Sequence, residues 1–348
     1  MAINVKLLKQ ICELAGAPGH EQRVREFVQK EARPFADEIS VDNLGSVTVF
    51  KKGKKNKKVM IAAHMDEIAF MVTHIDDKGF LRFTPLGGFD PKTLTAQRVL
   101  VHGKKDIVGV MGCKPIHVMT ADERGKVVPI TDYFIDLGLN KKDAEKIVRI
   151  GDVVTREREL IEMGNCVNCK SIDNRVSVFV LLEALKEIKN PPFDVYAVFT
   201  VQEEVGIRGA NASALKIQPD FGFGLDTTIA FDVPGAKEYE MVTRLGAGTA
   251  IKIMDSSTIC DYRMVNFMRE TATRHKIRFQ EEILPAGGTD TAGIQRMTPG
   301  GAISGAISIP TRHIHQVIEM ADKDDIRASI DLLVKCIQNL DKYDWGFK

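Results

Sequence analysis

The chain has 348 residues, enough to bury a substantial core. Its 48 basic and 47 acidic side chains leave a net charge of +1, which argues against a polyanionic partner. Six cysteines in a chain this long do not indicate a disulfide framework. The N-terminal residues lack the layout of a signal peptide, and no apolar run reaches membrane-spanning length. We therefore expect a cytoplasmic protein with no nucleic-acid and no membrane partner.

The first part of the chain predicts two helices followed by two strands. Apolar residues recur at helical spacing over 5–15 and 21–33, and strand-like runs follow at 46–50 and 58–63. The basic run KKGKKNKK (51–58) lies between these two apolar strands. We interpret it as a solvated hairpin loop, with a nucleic-acid patch as the alternative.

The pattern changes between about residue 68 and residue 164 to short strands separated by Gly, Pro and Asp turns. The runs are IAFMVTHI, GFLRFT, RVLVHG, DIVGVMG and GDVVT. This density of short strands predicts a compact all-β module.

Long helical patterns return after residue 170 and alternate with strands. The segments are a helix over 175–188, the strand VYAVFTV, a strand over 221–225, a helix over 262–275, a strand over 302–309 and a final helix over 324–340. This alternation predicts an α/β fold with a central mixed, mostly parallel sheet and helices on both faces. We interpret residues 1–67 and 165–348 as one discontinuous domain and residues 68–164 as a β insert.

Side chains that can bind metals follow the predicted strands of this domain. They are His64 and Asp66 after VMIAA, Glu203 and Glu204 at the end of VYAVFTV, Asp226 after FGFGL, and His313 and His315 after the last strand, with Asp173 at the start of the long helix. Because the carboxyl ends of parallel strands meet at one edge of a sheet, we expect them to converge. Each alone has a commoner structural explanation, such as an N-cap for Asp173. Taken together, these separate structural explanations would require strand after strand to end by coincidence in a residue that can bind metal.

The adjacent Glu203 and Glu204 close an apolar strand, where a carboxylate is costly unless it is protonated, paired or bound to a metal. Histidines and several carboxylates suit zinc, cobalt or manganese, and one carboxylate can bridge two ions. Two such ions clamp a carbonyl and lower the pKa of bound water. One glutamate can then bind metal while the other accepts a proton from that water.

Six segments in this order resemble the dinuclear metallo-aminopeptidases, which include the tetrahedral, glutamyl and deblocking aminopeptidases. They are VMIAAHMDEIAFMV, CKSIDNR, FTVQEEVGIRGA, LDTT, PAGGTDTAGIQ and TRHIHQVIEM. The resemblance implies a metallopeptidase α/β domain with an inserted barrel-like β domain that mediates dimerisation. It also implies a homo-oligomer, in many members a tetrahedral dodecamer, that acts on peptides. Two divalent ions per subunit are implied, with zinc favoured and cobalt or manganese as alternatives.

The family pattern also implies a role for each matching residue of this chain. Under it, His64 binds one ion, Asp173 bridges both, Glu204 binds one of them and Asp226 the other, Glu203 is the general base, and Asp66 orients the His64 ring. Residues 287–290 resemble the loop that borders the substrate pocket.

A histidine after the last strand completes the second metal site in this family. The family usually has Tyr before the Ile-His pair, where this chain has His313, so His313 and His315 are both candidates. Because the family ligand directly follows Ile, and Ile314 precedes His315, we predict His315 as the ligand.

These inferences predict a metal-dependent aminopeptidase in which water bridged by two metals attacks the scissile carbonyl and Glu203 takes its proton. One alternative is an endoglucanase-like glycoside hydrolase that uses paired carboxylates. It leaves the histidines without a task, and the single tryptophan, Trp345, offers little for stacking sugar rings. The other alternative, a non-catalytic metal-binding protein, would not need a free Glu203 beside a ligand.

Overall fold

The computed structural model of the chain describes residues 2–347. Residues 1 and 348, the outer ends of the predicted discontinuous domain, lie outside the described residues. The helices are α1 (Val5–Glu13), α2 (Gln22–Ala32), α3 (Ala121–Arg124), α4 (Lys141–Ile147), α5 (Ile172–Glu187), α6 (Arg208–Ile217), α7 (Tyr262–His275), α8 (Asp290–Arg296) and α9 (Lys323–Asn339). Among residues 2–347, no helix combines the length and the apolar composition needed to cross a membrane.

The strands, in chain order, are β1 (Glu38–Val41), β2 (Val47–Lys51), β3 (Lys55–His64), β4 (Ala69–Ile75), β5 (Leu81–Leu86), β6 (Arg98–His102), β7 (Asp106–Gly112), β8 (Phe134–Asp136), β9 (Val153–Arg156), β10 (Ile161–Met163), β11 (Cys166–Cys169), β12 (Phe193–Thr200), β13 (Phe221–Ile229), β14 (Thr249–Met254), β15 (Phe279–Ile283), β16 (Ile303–Arg312) and β17 (Glu319–Asp322). They form an eleven-stranded sheet, called the large sheet, and a separate closed barrel.

The large sheet is mixed and has its parallel part at the centre. Its order is β1-β2-β12-β3-β13-β16-β17-β11-β10, with β14 beside β16 and β15 beside β14. Parallel pairing joins β12, β3, β13 and β16, and also β14 with β15. The other pairs are antiparallel. The predicted mixed α/β fold is confirmed, and its parallel character belongs mainly to the four central strands.

Alternating side chains of the central strand β3 divide the core into two layers. Val59 and Ile61 pack in one layer with residues of α1, α2, α5, α7 and α9. Met60 and Ala62 point to the opposite face and pack with residues of α6 and α8. Helices therefore cover both faces of the large sheet, as the sequence predicts.

The barrel is closed by six antiparallel strands in the order β4-β5-β8-β7-β6-β9. It has a core of its own, which includes the fully buried Phe70, Val99 and Ile135. All six strands lie between residues 69 and 156, whereas β10 pairs in the large sheet. The three-residue strand β8 is too short to show a pattern in the sequence, yet it closes the ring between β5 and β7.

The prediction of a hairpin around the basic run is wrong. The strands on either side, β2 and β3, are not neighbours, because β12 lies between them, antiparallel to β2 and parallel to β3. The strand β12 begins about 130 residues after the end of β3. It takes the position between β2 and β3 because its side chains are almost all buried. Lys51 donates from Nζ to the carbonyls of Leu185 and Ile188, where it caps the end of α5.

Candidate active site

Histidine and carboxylate side chains of the kinds that can bind metals gather at the edge of the large sheet where the central parallel strands end. β3 ends at His64, Glu203 and Glu204 lie in the turn after β12, and His315 follows β16. They line one cavity of about 490 Å³ together with Asp173 and Asp226. The convergence predicted from the strand ends is present in the fold.

Asp226 reaches this edge from inside its strand. The prediction that the strand stops before Asp226 is wrong, since β13 continues to Ile229. It continues because β13 remains paired with β16 as far as Thr311. The residues of β13 beyond the carboxylate, Thr227, Thr228 and Ile229, thus line the cavity.

Asp173 comes from an irregular segment at the start of α5. Asp173 and Asn174 have non-helical backbone angles, so the regular helix begins after them. The Asn174 amide donates to the carbonyl of Leu225, which ties this segment to β13. The Asp173 side chain contacts two histidines, so the alternative of a simple N-cap does not describe it.

Two triads of side chains share Asp173. In the first triad, Nε2 of His64 lies 3.4 Å from Oδ1 of Asp173 and 3.7 Å from Oδ1 of Asp226. In the second triad, Nε2 of His315 lies 3.5 Å from Oδ2 of Asp173 and 3.5 Å from Oε2 of Glu204. The ligand atoms of each triad lie within 4.8 Å of one another. Each oxygen of Asp173 faces a different histidine, as a bridging carboxylate requires.

Glu203 stands beside the triads without belonging to either. Its Oε2 lies 3.9 Å from Nε2 of His64, and it lines the cavity. Burial raises the pKa of Glu203 well above its usual range, and the neighbouring charges of Asp226 and Glu204 raise it further. A free carboxylate beside two potential metal ligand sets is the arrangement expected of a proton acceptor.

Asp66 holds three parts of this edge together. Its carboxylate accepts from the backbone amides of Glu203 at 3.0 Å and Glu204 at 3.1 Å. Nδ1 of His64 lies 3.1 Å from the Asp66 carbonyl oxygen and 3.4 Å from Oδ1. If the neutral His64 ring donates from Nδ1, the lone pair of Nε2 points towards the carboxylates of Asp173 and Asp226.

The edge carries more negative charge than its imidazoles compensate. Burial lowers the pKa of His315, but contacts with Asp173 and Glu204 outweigh burial and raise that pKa to about 9. The pKa of His64 is raised well above its usual range because contacts with Asp173 and Asp226 outweigh burial. Burial raises the pKa of Glu204 to about 8. Such an excess of buried anions suits divalent cations.

The donor set also fits metal ions atom by atom. Oδ1 of Asp173 and Oε1 of Glu204 are buried and have no hydrogen-bond partner among the described residues. Buried polar atoms are nearly always partnered, so these unpartnered carboxylate oxygens, of which Oδ1 of Asp173 faces the His64 imidazole, are consistent with metal coordination.

Only His315 of the two candidate histidines faces the cavity. The described residues that line it include Ile314 and His315 but not His313. Both histidines have left-handed backbone angles, with φ of 60° for His313 and 65° for His315. This backbone turns successive side chains in different directions, which spacing in the sequence does not show.

Two buried charged residues near the cavity, Glu319 and Lys252, were not predicted, and a third, Asp290, was predicted only as part of the pocket loop 287–290. Glu319 accepts from the backbone amides of Asp173 at 2.9 Å and His315 at 2.8 Å. Lys252 lines the cavity and pairs with Glu282 at 2.8 Å. Asp290 accepts from the Thr200 hydroxyl beneath the cavity. Glu319 lies in the segment TRHIHQVIEM, whose acidic residue was the available signal.

A cavity at a sheet edge, with two histidine–carboxylate triads and a free glutamate, is the arrangement of a hydrolytic enzyme. The chain matches the family described as M42 glutamyl aminopeptidase over residues 45–332. This match spans most of the chain, so the protein belongs to the M42 glutamyl aminopeptidase family and is a hydrolase that acts on peptides. The resemblance predicted from the sequence is confirmed.

Relatives and solved structures agree with this assignment. A putative aminopeptidase of Acetivibrio thermocellus is 41% identical over 95% of this chain and 97% of its own. The TET aminopeptidase of a marine-sediment Thaumarchaeota archaeon is 36% identical, with a TM-score of 0.94 over 97% of this chain and 96% of its own. The Pyrococcus horikoshii TET1 peptidase, which can assemble into a tetrahedron or a large octahedral shell, is 29% identical. Its TM-score is 0.87 over 96% of this chain and 98% of its own.

Proposed function

We propose that this protein is an aminopeptidase that depends on two divalent metal ions and removes N-terminal residues from peptides. The observation that carries the proposal is the sharing of Asp173 between two triads, with Glu203 free beside them. His64, Asp173 and Asp226 would hold one ion. Asp173, Glu204 and His315 would hold the other.

Histidine and carboxylate ligands suit zinc, with cobalt or manganese as alternatives. When bound, the two ions would polarise the scissile carbonyl, lower the pKa of a water molecule and keep Glu203 ionised. Two cations match the several carboxylates at this edge better than one. The proposal therefore accounts for the number of acidic side chains in the cavity.

Glu203 supplies the proton transfer that hydrolysis needs. It takes a proton from the attacking water, whose oxygen forms a bond with the carbonyl carbon. When the carbon–nitrogen bond breaks, Glu203 delivers that proton to the leaving amine. Asp66 supports this step because it fixes the backbone amide of Glu203 and the ring of His64.

The cavity offers apolar walls for the substrate side chain. Ile207, Ile229 and Leu284 line it beside the glycines Gly287 and Gly288. A mostly apolar cavity with a few converging polar groups is the usual form of a small-substrate site. The predicted pocket loop, 287–290, contributes three of its four residues to this lining.

Neither alternative function gains support from the site. The described residues that line the cavity include no Trp, Tyr or Phe, so a sugar ring would find no aromatic platform there. Trp345 packs against Phe221 and Phe267 instead. A non-catalytic metal-binding protein would give Glu203 no task.

The test is a panel of aminoacyl chromogenic substrates. Chelator-treated protein should be inactive, and zinc, cobalt or manganese added back should restore release of N-terminal residues. Persistent activity after complete metal removal would overturn the metal dependence. Cleavage of glucan in place of aminoacyl substrates would support the glycoside hydrolase.

We also propose that the barrel mediates dimerisation within a homo-oligomer of tetrahedral form, like the tetrahedron into which the Pyrococcus horikoshii TET1 peptidase can assemble. Val108 and Val110 on β7, followed by Ile116 and Val118, are large apolar side chains that are about half exposed or more. Such exposed apolar surface indicates a protein interface. Replacing Val108 and Val110 with lysine should give a smaller species by light scattering. An unchanged particle mass would count against this interface.

A further inference from the structure

Arg156 links the barrel to the second triad. It is the last residue of β9, and only 3% of its surface is exposed. Its Nη1 donates a hydrogen bond of 2.9 Å to the backbone carbonyl of His315. A guanidinium is seldom buried to this extent unless it has a definite partner. The partner here is the backbone of a residue at the active site.

The backbone of His315 is held from both sides. Its amide donates to Oε1 of Glu319 at 2.8 Å, while its carbonyl accepts from Arg156. Oε2 of Glu319 accepts from the amide of Asp173, so one carboxylate fixes the backbone of two of the three residues of the second triad, Asp173 and His315. The φ of His315 is 65°, a left-handed angle that non-glycine residues keep only where their surroundings enforce it.

The barrel core supports Arg156 from behind. The guanidinium lies 5.6 Å from the centre of the Phe89 ring, a cation–π distance. Phe89 stacks on Phe70 of the barrel core with ring centres 4.3 Å apart. The neighbouring Gly88 also lines the cavity, and a Cβ there would lie 3.5 Å from Nδ1 of His315. Two segments of the barrel, one with Phe89 and Gly88 and the other with Arg156, therefore lie against His315.

We propose that Arg156 is a positioning residue through which the barrel holds His315 in the orientation that reaches Asp173 and Glu204. The inference rests on the proposed function, since it takes His315 as a metal ligand. It gives the barrel a task besides assembly. Without the hydrogen bond from Arg156, the carbonyl of His315 loses its barrel partner, and the imidazole loses part of what fixes its direction.

The first experiment compares Arg156→Met with Arg98→Met in the metal-loaded oligomer. Arg98 lies on β6 beside β9 and pairs at the surface with Glu157 at 3.0 Å. Arg98→Met is therefore the matched control, because it also removes a guanidinium from the barrel. Release of zinc to a chromogenic chelator is followed over time, together with kcat and KM. Removing a group that orients a ligand usually lowers metal affinity by about 10–100-fold, so Arg156→Met should release one of its two ions faster by up to that factor. kcat should fall more than KM rises.

Arg98→Met should release zinc at the rate of the unmodified protein. Arg156→Lys should fall between, because an ammonium can donate one hydrogen bond but lacks the planar fork. This conservative variant also keeps the test decisive if Arg156→Met does not fold. Release from Arg156→Lys at the unmodified rate would then overturn the positioning role.

The second experiment places Arg156→Met in a His315→Ala background and counts bound zinc by elemental analysis. His315→Ala should lose about one ion per subunit, and adding Arg156→Met should lose no more, because both changes act on the same ligand. Retention of both ions in His315→Ala would refute the proposed function itself. Loss of an ion in His315→Ala, with a further and additive loss in the double variant, would refute only the role of Arg156.

Discussion

Two buried groups of charged side chains lie side by side in this fold and differ in how their charge is compensated. In the first, called the buried ion cluster, Glu67 accepts from Lys170 at 2.7 Å, from Ser171 at 2.8 Å and from Arg175 at 3.4 Å. In the second, formed by the two triads and Glu203, the carboxylates make their ion-pair contacts with His64 and His315.

The pKa values follow this difference. Burial raises the pKa of Glu67, but the charges of Lys170 and Arg175 outweigh burial, so that its pKa is lowered. Burial raises the pKa of Glu204 to about 8, and the charges of His315 and His64, which would lower it, do not outweigh burial. A compensated cluster stabilises the fold, whereas an uncompensated one favours binding of a cation.

The two groups are adjacent because neighbouring residues take opposite directions. Asp66 turns to the backbone of Glu203, while the next residue, Glu67, turns to Lys170. Arg175 donates from Nε to the Met65 carbonyl at 2.6 Å, directly between His64 and Asp66. The buried ion cluster thus fixes the segment that carries His64 and Asp66. Changing one group at a time tests the difference between the two groups.

The largest expected effect is on turnover and follows from Glu203→Gln. The amide cannot accept the proton, so kcat should fall by about 10²–10⁴-fold while both metal ions stay bound. Glu204→Gln is the matched control, since it removes a proposed ligand and should lose metal. Elemental analysis and steady-state kinetics on the two variants check this. Metal lost in Glu203→Gln and kept in Glu204→Gln would show that the two roles are reversed.

A second effect should appear in stability and follows from Glu67→Gln. This change leaves the buried cations Lys170 and Arg175 without their counter-charge, which should cost about 3–5 kcal/mol of unfolding free energy. Urea unfolding of the metal-loaded protein measures it at fixed protein and metal concentration. Glu162→Gln, which breaks an exposed ion pair of 2.7 Å with Lys323, should cost less than about 1 kcal/mol. Equal losses of unfolding free energy in Glu67→Gln and Glu162→Gln would show that the buried pair contributes no more to stability than the exposed pair.

The third effect is small and concerns His313→Tyr, which restores the residue usual in the family. His313 does not line the cavity among the described residues, so both ions and most of the activity should remain. His315→Ala, by contrast, should lose about one ion and fall to background activity. Elemental analysis decides between the two histidines. Metal lost in His313→Tyr would mean that this histidine is the ligand.

Much of the site could be predicted because its residues follow strands with local hydrophobic patterns. His64, Glu203 and Glu204 needed only the rule that parallel strands end at one edge. Their metal and catalytic roles stay predictions, as does the division into two domains. The supports of the site depend on contacts distant in sequence, such as Arg156 with His315, 159 residues apart. No local pattern signals such a pair.

The same limit explains the errors in the fold. Insertion of β12 between β2 and β3 is decided by pairing across the whole sheet, and so is the extension of β13 past Asp226. Hydrophobic periodicity fixes where a strand is and which way it faces, but not its neighbour. The helix predicted over 262–275 needed no distant partner and matches α7 residue for residue.

The smallest effect concerns a compensated pair that is open to solvent. Arg23 of α2 donates to both oxygens of Asp106 on β7, at 2.7 and 2.8 Å, and so joins the large-sheet domain to the barrel. The hydrogen bond from Arg23 lowers the pKa of Asp106 to about 2. A lowered pKa means that the pair stabilises the fold above the ordinary Asp pKa, near 4. That contribution is lost as the pH falls from about 4 towards 2.

Because the side chain of Asp106 is 34% exposed, solvent screening leaves the pair worth only about 0.5 kcal/mol. Asp106→Asn should therefore lower the unfolding free energy by about this amount at pH 7, and the difference should shrink below pH 4 and in high salt. Asp77→Asn, which removes an exposed partner of Lys141 within the barrel, should produce no measurable change. Urea unfolding of the three proteins across this pH range measures the differences. A cost for Asp106→Asn that grows as the pH falls would have the wrong sign for a lowered pKa.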